Sequence, residues 1–299
     1  MADSVLARPP ARPRRLVYLG TPEVAVEPLR ALVEAGFDIA LVVSGPDKRR
    51  GRGGQRTATP VKSAALELGL PVTDVLDDVS NIDVDLGVVV AYGRLIPEAL
   101  LHRVPMINIH FSLLPRWRGA APVERALLEG DEVTGVCLMD IGVELDVGDV
   151  YARASTLIAE DDTLDSLRSR LVTLGSSMLV ETLQQGLPDP IPQSGEVTYA
   201  KKIASEDLRI DWDAPASLVD RQVRLGGAWT EFRGARFKVH EARIVGGSGG
   251  PPGSLHGLAV DCGEGALELV VVQTEGKPRQ AADAWRNGAR PTAEDRFGR

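Results

Sequence analysis

Leu86-Gly-Val-Val-Val-Ala91 carries no polar side chain on either of its two alternating faces. A strand of this kind must be covered on both sides, and a central strand of a parallel sheet flanked by helices meets that demand. Residues 15–19 (RLVYL) form a second β-rich apolar run, followed by Gly20-Thr-Pro-Glu and then by Val26, Leu29, Leu32 and Val33 at helical spacing. Gly36 closes that helix, and residues 39–43 read as another buried strand, so the chain opens with a βαβ unit. The turn at Gly20 lacks the G-x-G-x-x-G spacing that lets a pyrophosphate approach the backbone, which argues against a nucleotide there.

Further strands are expected at residues 72–75, 106–110, 134–139 and 150–155. Helices are expected at 60–68 and 122–128, with a long one at 164–183. Residues 198–202 read as a linker. Beyond residue 208 the pattern changes to short runs at 236–239, 243–245, 258–261 and 267–273 separated by Gly and Pro, a spacing suited to a small β-barrel. The expected organisation is a disordered extension over 1–14, an α/β domain over 15–203 with a parallel-rich sheet, and a barrel domain over 204–299.

The run Met106-Ile-Asn-Ile-His-Phe-Ser-Leu-Leu-Pro-Arg-Trp-Arg-Gly-Ala-Ala-Pro122 ends an apolar strand in a dense polar and Pro/Gly segment. Asn108 and His110 lie two apart, so a strand turns both to one side. One is an amide donor, the other a base that titrates near neutrality. Tyr92-Gly93-Arg94-Leu95-Ile96-Pro97 follows the central strand, at the carboxyl end where open α/β sheets bind ligands, and can offer backbone groups to a planar ligand. Asp146, in a Gly-flanked acidic loop, would orient a neighbouring imidazole and favour its charged form.

The formal net charge of −8 argues against indiscriminate polyanion binding. Locally the balance reverses: Lys48, Arg49, Arg50, Arg52, Arg56 and Lys62 stand against the single acid Asp47, on a stretch with several glycines. It reads either as a solvated mobile loop or as an arm that adapts to phosphates. No apolar run reaches the roughly 18 residues of a spanning helix, and the first 14 residues lack the apolar core of a secretory signal. Cys137 and Cys262 form neither a metal spacing nor a disulfide framework, and a reducing cytoplasm is expected.

Taken together, these motifs resemble the methionyl-tRNA formyltransferases over nearly the whole chain. The resemblance rests on Gly20-Thr-Pro-Glu, Pro46-Asp47, Gly51-Arg-Gly, Thr59-Pro-Val-Lys, Ala91-Tyr-Gly and the run from Asn108 to Pro122. It continues through Leu145-Asp146-Val-Gly-Asp149, Arg209-Ile-Asp-Trp, Gly276-Lys277 and Gly288-Ala-Arg-Pro291. Asn-x-His followed by Ser-Leu-Leu-Pro marks folate-dependent formyltransferases in general, whereas Arg-Trp-Arg-Gly-Ala-Ala-Pro and the C-terminal motifs are narrower.

The resemblance implies a Rossmann-like domain and an OB-like tRNA-binding barrel. The reaction it implies moves the formyl group of 10-formyltetrahydrofolate, without a metal, to the α-amine of methionyl initiator tRNA. It implies Asn108, His110 and Asp146 as the catalytic set. Tyr92, Gly93, Leu95, Ile96, Ser112, Leu113, Leu114 and Pro115 match the folate contacts, and Lys48, Arg49, Arg50, Arg52 and Arg56 match the tRNA arm. A monomer is expected. Two departures stand out: Glu144 occupies a position where the family usually has Gly, and the chain between Arg224 and Gly227 is shorter than the family's loop. The alternative is an N-formyltransferase acting on an amino-sugar nucleotide, which needs neither the arm nor the barrel. A formate-releasing hydrolase and a non-enzymatic RNA-binding module are further from these residues.

Overall fold

The computed structural model describes residues 6–49, 56–292 and 294–298. Two compact units emerge. The first comprises residues 1–122, 133–157 and 168–200; the second comprises 123–132, 158–167 and 201–299. A single cut in the chain does not describe this division, because two short excursions belong with the second unit.

The first unit is built on a seven-stranded sheet. Its elements begin with β1 (Arg15–Gly20), α1 (Val26–Glu34), β2 (Asp38–Val43), the two-residue strands β3 (Lys48–Arg49) and β4 (Arg56–Thr57), α2 (Pro60–Glu67) and β5 (Val72–Thr73). They continue with β6 (Leu86–Val90), α3 (Glu98–Leu101), β7 (Met106–His110), β8 (Arg118–Gly119), β9 (Val133–Asp140) and β10 (Val150–Leu157), while α4 (Pro122–Glu129), between β8 and β9, belongs past Pro122 with the second unit. The last are α5 (Leu164–Gln185) and β11 (Tyr199–Ala200).

The sheet order is β10-β9-β7-β6-β1-β2-β5. The five strands from β7 to β5 pair in parallel, while β9 and β10 are antiparallel additions at the other edge. β6 is buried at all five positions, as its uninterrupted apolar character requires. Gly87 within it answers a packing demand, since a Cβ there would lie 2.8 Å from Cγ of Met106 on the adjacent strand. Gly20 does the same at the end of β1, where a Cβ would meet Ala25 at 2.8 Å. The glycine of that turn thus serves close packing of strand against helix.

Successive strands run from β1 to β2 and β5 on one side, then from β6 to β7 on the other. The order reverses between β1 and β6, which is where open α/β sheets form a ligand crevice. Thr21 Oγ1 donates to the Tyr92 carbonyl at 3.2 Å and joins the turns that follow these two strands.

The segment 6–14, expected as a ragged extension, is tied down. Ala7 N–H donates to the Leu101 carbonyl, Leu187 N–H donates to the Ala11 carbonyl, and the N–H of Arg14 donates to Asp85 at 2.7 Å. Pro13 is buried. Of the basic stretch, read either as a solvated mobile loop or as an arm for phosphates, the described ends pair as an antiparallel ladder, Lys48 with Thr57 and Arg49 with Arg56. Residues 50–55, and with them Arg50 and Arg52, lie outside the described residues.

The second unit contains α6 (Ala216–Leu225), β12 (Trp229–Phe232), β13 (Ala235–Val245), β14 (Leu255–His256), β15 (Ala259–Asp261), β16 (Ala266–Thr274), β17 (Gln280–Ala281) and α7 (Ala282–Ala289). Its sheet is antiparallel in the order β12-β13-β16-β15-β14, with β17 also on β16. The runs expected at 236–239 and 243–245 are one strand, kinked by register shifts around Glu241. Such a shift breaks the period-two pattern, so the strand reads as two pieces.

Two helices absent from the expected pattern complete this core. α6 buries Ala216, Val219, Val223 and Leu225, and α7 buries Ala282 and Trp285. At the end of α6, Gly226 and Gly227 both adopt positive φ (89° and 82°), so the short connection to β12 turns on two glycines.

Candidate active site

A pocket of about 520 Å³ opens at the carboxyl ends of β6 and β7. Asn108, His110 and Asp146 all line it. Asn108 is half-buried on β7 and His110 is 5% exposed, so strand alternation brings both to the pocket as expected.

Backbone groups fix the imidazole. Its Nε2 lies 2.9 Å from the Trp117 carbonyl oxygen. A carbonyl can only accept, so Nε2 carries the hydrogen of this bond, and Nδ1 is the ring nitrogen free to exchange a proton. Nδ1 lies 3.7 Å from Asp146 Oδ2. Trp117 itself sits at φ 64°, and its N–H donates to Thr198 Oγ1 at 2.9 Å, which orients the carbonyl toward His110.

A backbone donor holds Asp146. Its carboxylate oxygen Oδ2 accepts the Gly119 N–H at 2.8 Å. Gly119 has φ 122°, and a Cβ there would lie 2.8 Å from the Ala200 carbonyl oxygen, so only glycine fits where β8 pairs with β11. Asp146 is also in the left-handed region, at φ 55°. For a residue with a Cβ that conformation is uncommon and persists where surrounding contacts impose it.

The turn after β6 supplies one wall. Tyr92, Gly93, Leu95 and Ile96 line the pocket beside Asn108 and His110. Burial raises the Tyr92 phenol above its ordinary range, opposed by Arg94, whose Nη1 donates to the phenol oxygen at 3.2 Å. Leu95, Val143 and Leu145 are 86%, 63% and 65% exposed, so the lining includes apolar side chains open to solvent. Glu144 also lines the pocket and is exposed, which puts a carboxylate at the position singled out in the sequence.

The structure does not bring Ser112, Leu113, Leu114 and Pro115 to this pocket. Ser112 is fully buried, with its hydroxyl donating to the Arg116 carbonyl at 2.6 Å. Leu113, Leu114 and Pro115 line a separate cavity. Conversely, the sequence reading missed the Trp117 carbonyl and the Gly119 N–H. Neither has a side-chain signature.

Of the arm residues, Arg56 is exposed, while Lys48 and Arg49 are described by backbone alone. Asp47, the one acid in that stretch, pairs with Lys62 at 2.8 Å.

Comparison with known proteins bears on this geometry. A sequence family described as formyl transferase matches residues 14–183, and the formyl transferase C-terminal domain matches residues 202–290. The methionyl-tRNA formyltransferase of Paracoccus denitrificans is 43% identical over 298 residues, covering 94% of this chain and 100% of that protein. That of Ruegeria pomeroyi is 42% identical over 292 residues, covering 92% and 97%. Among solved structures, HypX from Aquifex aeolicus in complex with tetrahydrofolic acid superposes with a TM-score of 0.64 at 18% identity, over 92% of this chain and 47% of that one. An N-formyltransferase from Helicobacter canadensis, in complex with folinic acid and dTDP-3-aminofucose, gives 0.66 at 14% identity, over 87% and 99%. At such identities these two structures bear on the fold alone. The two matched regions and the near full-length relatives place the chain in the methionyl-tRNA formyltransferase family.

Proposed function

We propose that the protein transfers the formyl group of 10-formyltetrahydrofolate to the α-amine of methionyl initiator tRNA, in the cytoplasm where charged tRNA is used. The observation that carries this reading is the pocket itself: an amide donor, an imidazole with one nitrogen committed to a backbone carbonyl, and a carboxylate beside the other nitrogen. Near full-length relatives carry the same name for their activity.

The chemistry follows from these groups. An α-amine titrates near about 7.7 to 8.0, so a useful fraction is neutral and nucleophilic at physiological pH. Its lone pair attacks the formyl carbon, and the carbonyl electrons move to oxygen. The Asn108 amide N–H donates to that developing oxyanion. His110 Nδ1 relays the proton lost by the amine to the folate nitrogen as the carbon–nitrogen bond of the donor breaks. Asp146, facing Nδ1, stabilises the ring while it carries the extra proton. The products are formyl-methionyl-tRNA and tetrahydrofolate. Tyr92, Gly93, Leu95 and Ile96 contact the folate, and the arginines of the 48–56 arm contact tRNA phosphates.

Purified protein given the formyl donor with charged initiator tRNA, with an amino-sugar nucleotide, or with no acceptor tests this. Formylation of the tRNA alone is expected; formylation of the sugar, or release of formate without acceptor, would replace the reading. In the same assay, exchanging Arg49, Arg50 and Arg52 for Gln should raise KM for tRNA about tenfold or more at moderate salt while KM for the folate stays within about twofold. An unchanged KM for tRNA would leave the arm an ordinary loop.

A further inference from the structure

We infer that Gln193 is a positioning residue for the catalytic loop, acting through Asp146; this rests on the reading of Asp146 proposed above. Gln193 is half-buried and outside any helix or strand, in a segment no site motif includes. Its amide nitrogen donates to two backbone carbonyls, Asp146 at 2.9 Å and Gly148 at 2.8 Å. Its amide oxygen accepts from Arg118, at 3.0 Å from Nε and 2.7 Å from Nη2. Only this orientation works, because carbonyls cannot donate and a guanidinium cannot accept.

One side chain therefore joins the two segments that build the site. Arg118 stands between Trp117, whose carbonyl binds His110, and Gly119, whose N–H binds the Asp146 carboxylate. The carbonyls of 146 and 148 belong to the loop that must hold Asp146 at positive φ. Gly148 packs so close to Asp140 that a Cβ would fall 2.0 Å from its carbonyl oxygen, so the loop is pinned at Gly148 against Asp140 and held at both Asp146 and Gly148 by Gln193. Gln193 is in turn placed by the paired hydrogen bonds between Val150 and Ile191, two residues away, at 2.8 and 2.9 Å. Among the described residues, the Gln193 side chain is what bridges the 146 and 148 carbonyls to Arg118.

Gln193→Glu separates the two halves of this contact. The carboxylate keeps the Arg118 pair but presents acceptors to two carbonyls, so only the loop support is lost. Gln193→Met, of similar volume, removes both. Single-turnover formyl transfer should fall about ten- to hundredfold in each, the scale expected when a reacting group shifts by about an ångström. KM for the formyl donor should stay within about twofold, and the thermal midpoint should move by only a few degrees. The decisive measurement is a double-mutant cycle with Asp146→Ala: if Gln193 acts through Asp146, Gln193→Glu costs less than about twofold in that background. A loss that multiplies unchanged in the Asp146→Ala background, or single variants within about threefold of the unsubstituted protein, overturns the inference. An Asp146→Ala protein as fast as the unsubstituted one overturns the reading of Asp146 as well, and so separates the two failures.

Discussion

At the residue scale the site combines side chains legible in the sequence with backbone atoms that are not. Asn108 and His110 could be paired because a strand repeats every two residues, and that periodicity survives any tertiary context. Asp146 was legible as a carboxylate in a Gly-flanked loop, but its 3.7 Å approach to His110 depends on a loop returning over the sheet. The commitment of Nε2 to the Trp117 carbonyl could not be read at all, since every residue carries the same carbonyl. Replacing Asn108, His110 or Asp146 singly by Ala should lower the single-turnover formyl transfer rate by about a hundredfold or more, the range for general acid–base and oxyanion groups. Circular dichroism spectra of the three variants should match the unsubstituted protein. A rate near the original for any one of them removes that residue from the mechanism.

At the element scale, agreement with the sequence follows how strongly each element depends on its own residues. β6 was legible because its run is apolar throughout, and α1 because its apolar positions recur at helical spacing. α6 and α7 were missed inside a region whose Gly and Pro spacing spoke for short strands. Their buried stripes gain meaning only from the sheet they cover. The aromatic cluster makes the dependence concrete. Phe237 is 1% exposed, with ring centroids of Trp285 and Phe297 at 4.8 and 5.1 Å and that of Phe232 at 6.1 Å. Phe237→Ala should cost about 3–5 kcal/mol in urea unfolding, the usual range for emptying a packed aromatic site. A loss under about 1 kcal/mol would mean that this core closes without it. Ser112, Leu113, Leu114 and Pro115 follow His110 in the chain; Ser112 is buried and the other three line a different cavity.

At the scale of the whole molecule, stability should depend on pH through identified groups. The Arg233 guanidinium donates to Asp295, and with the Thr292 N–H and hydroxyl it holds that carboxyl well below its ordinary range. A carboxyl depressed in the folded state contributes stability that is present above its unfolded value of about 3.9 and lost as the pH falls through the folded value. The difference in urea midpoint between the unsubstituted protein and Asp295→Asn should therefore be largest near pH 7 and shrink toward pH 3. A difference independent of pH would show that the contact acts through packing. Burial pushes the Cys262 thiol up to about 11 and also raises that of Cys137, so neither should react with a thiol reagent at pH 8 until the chain unfolds. The sequence by itself determined the α/β class of the first unit, the β-rich character of the second and the candidate side chains Asn108, His110 and Asp146. These follow from short-range periodicity and from residue chemistry carried in the chain. Only the tertiary structure decided which nitrogen of His110 is free, which loop residues face the pocket, and that Gln193 ties Arg118 to the Asp146 loop. Those depend on atoms far apart in sequence meeting within about 3 Å, a geometry set by the packing of the whole sheet and its loops.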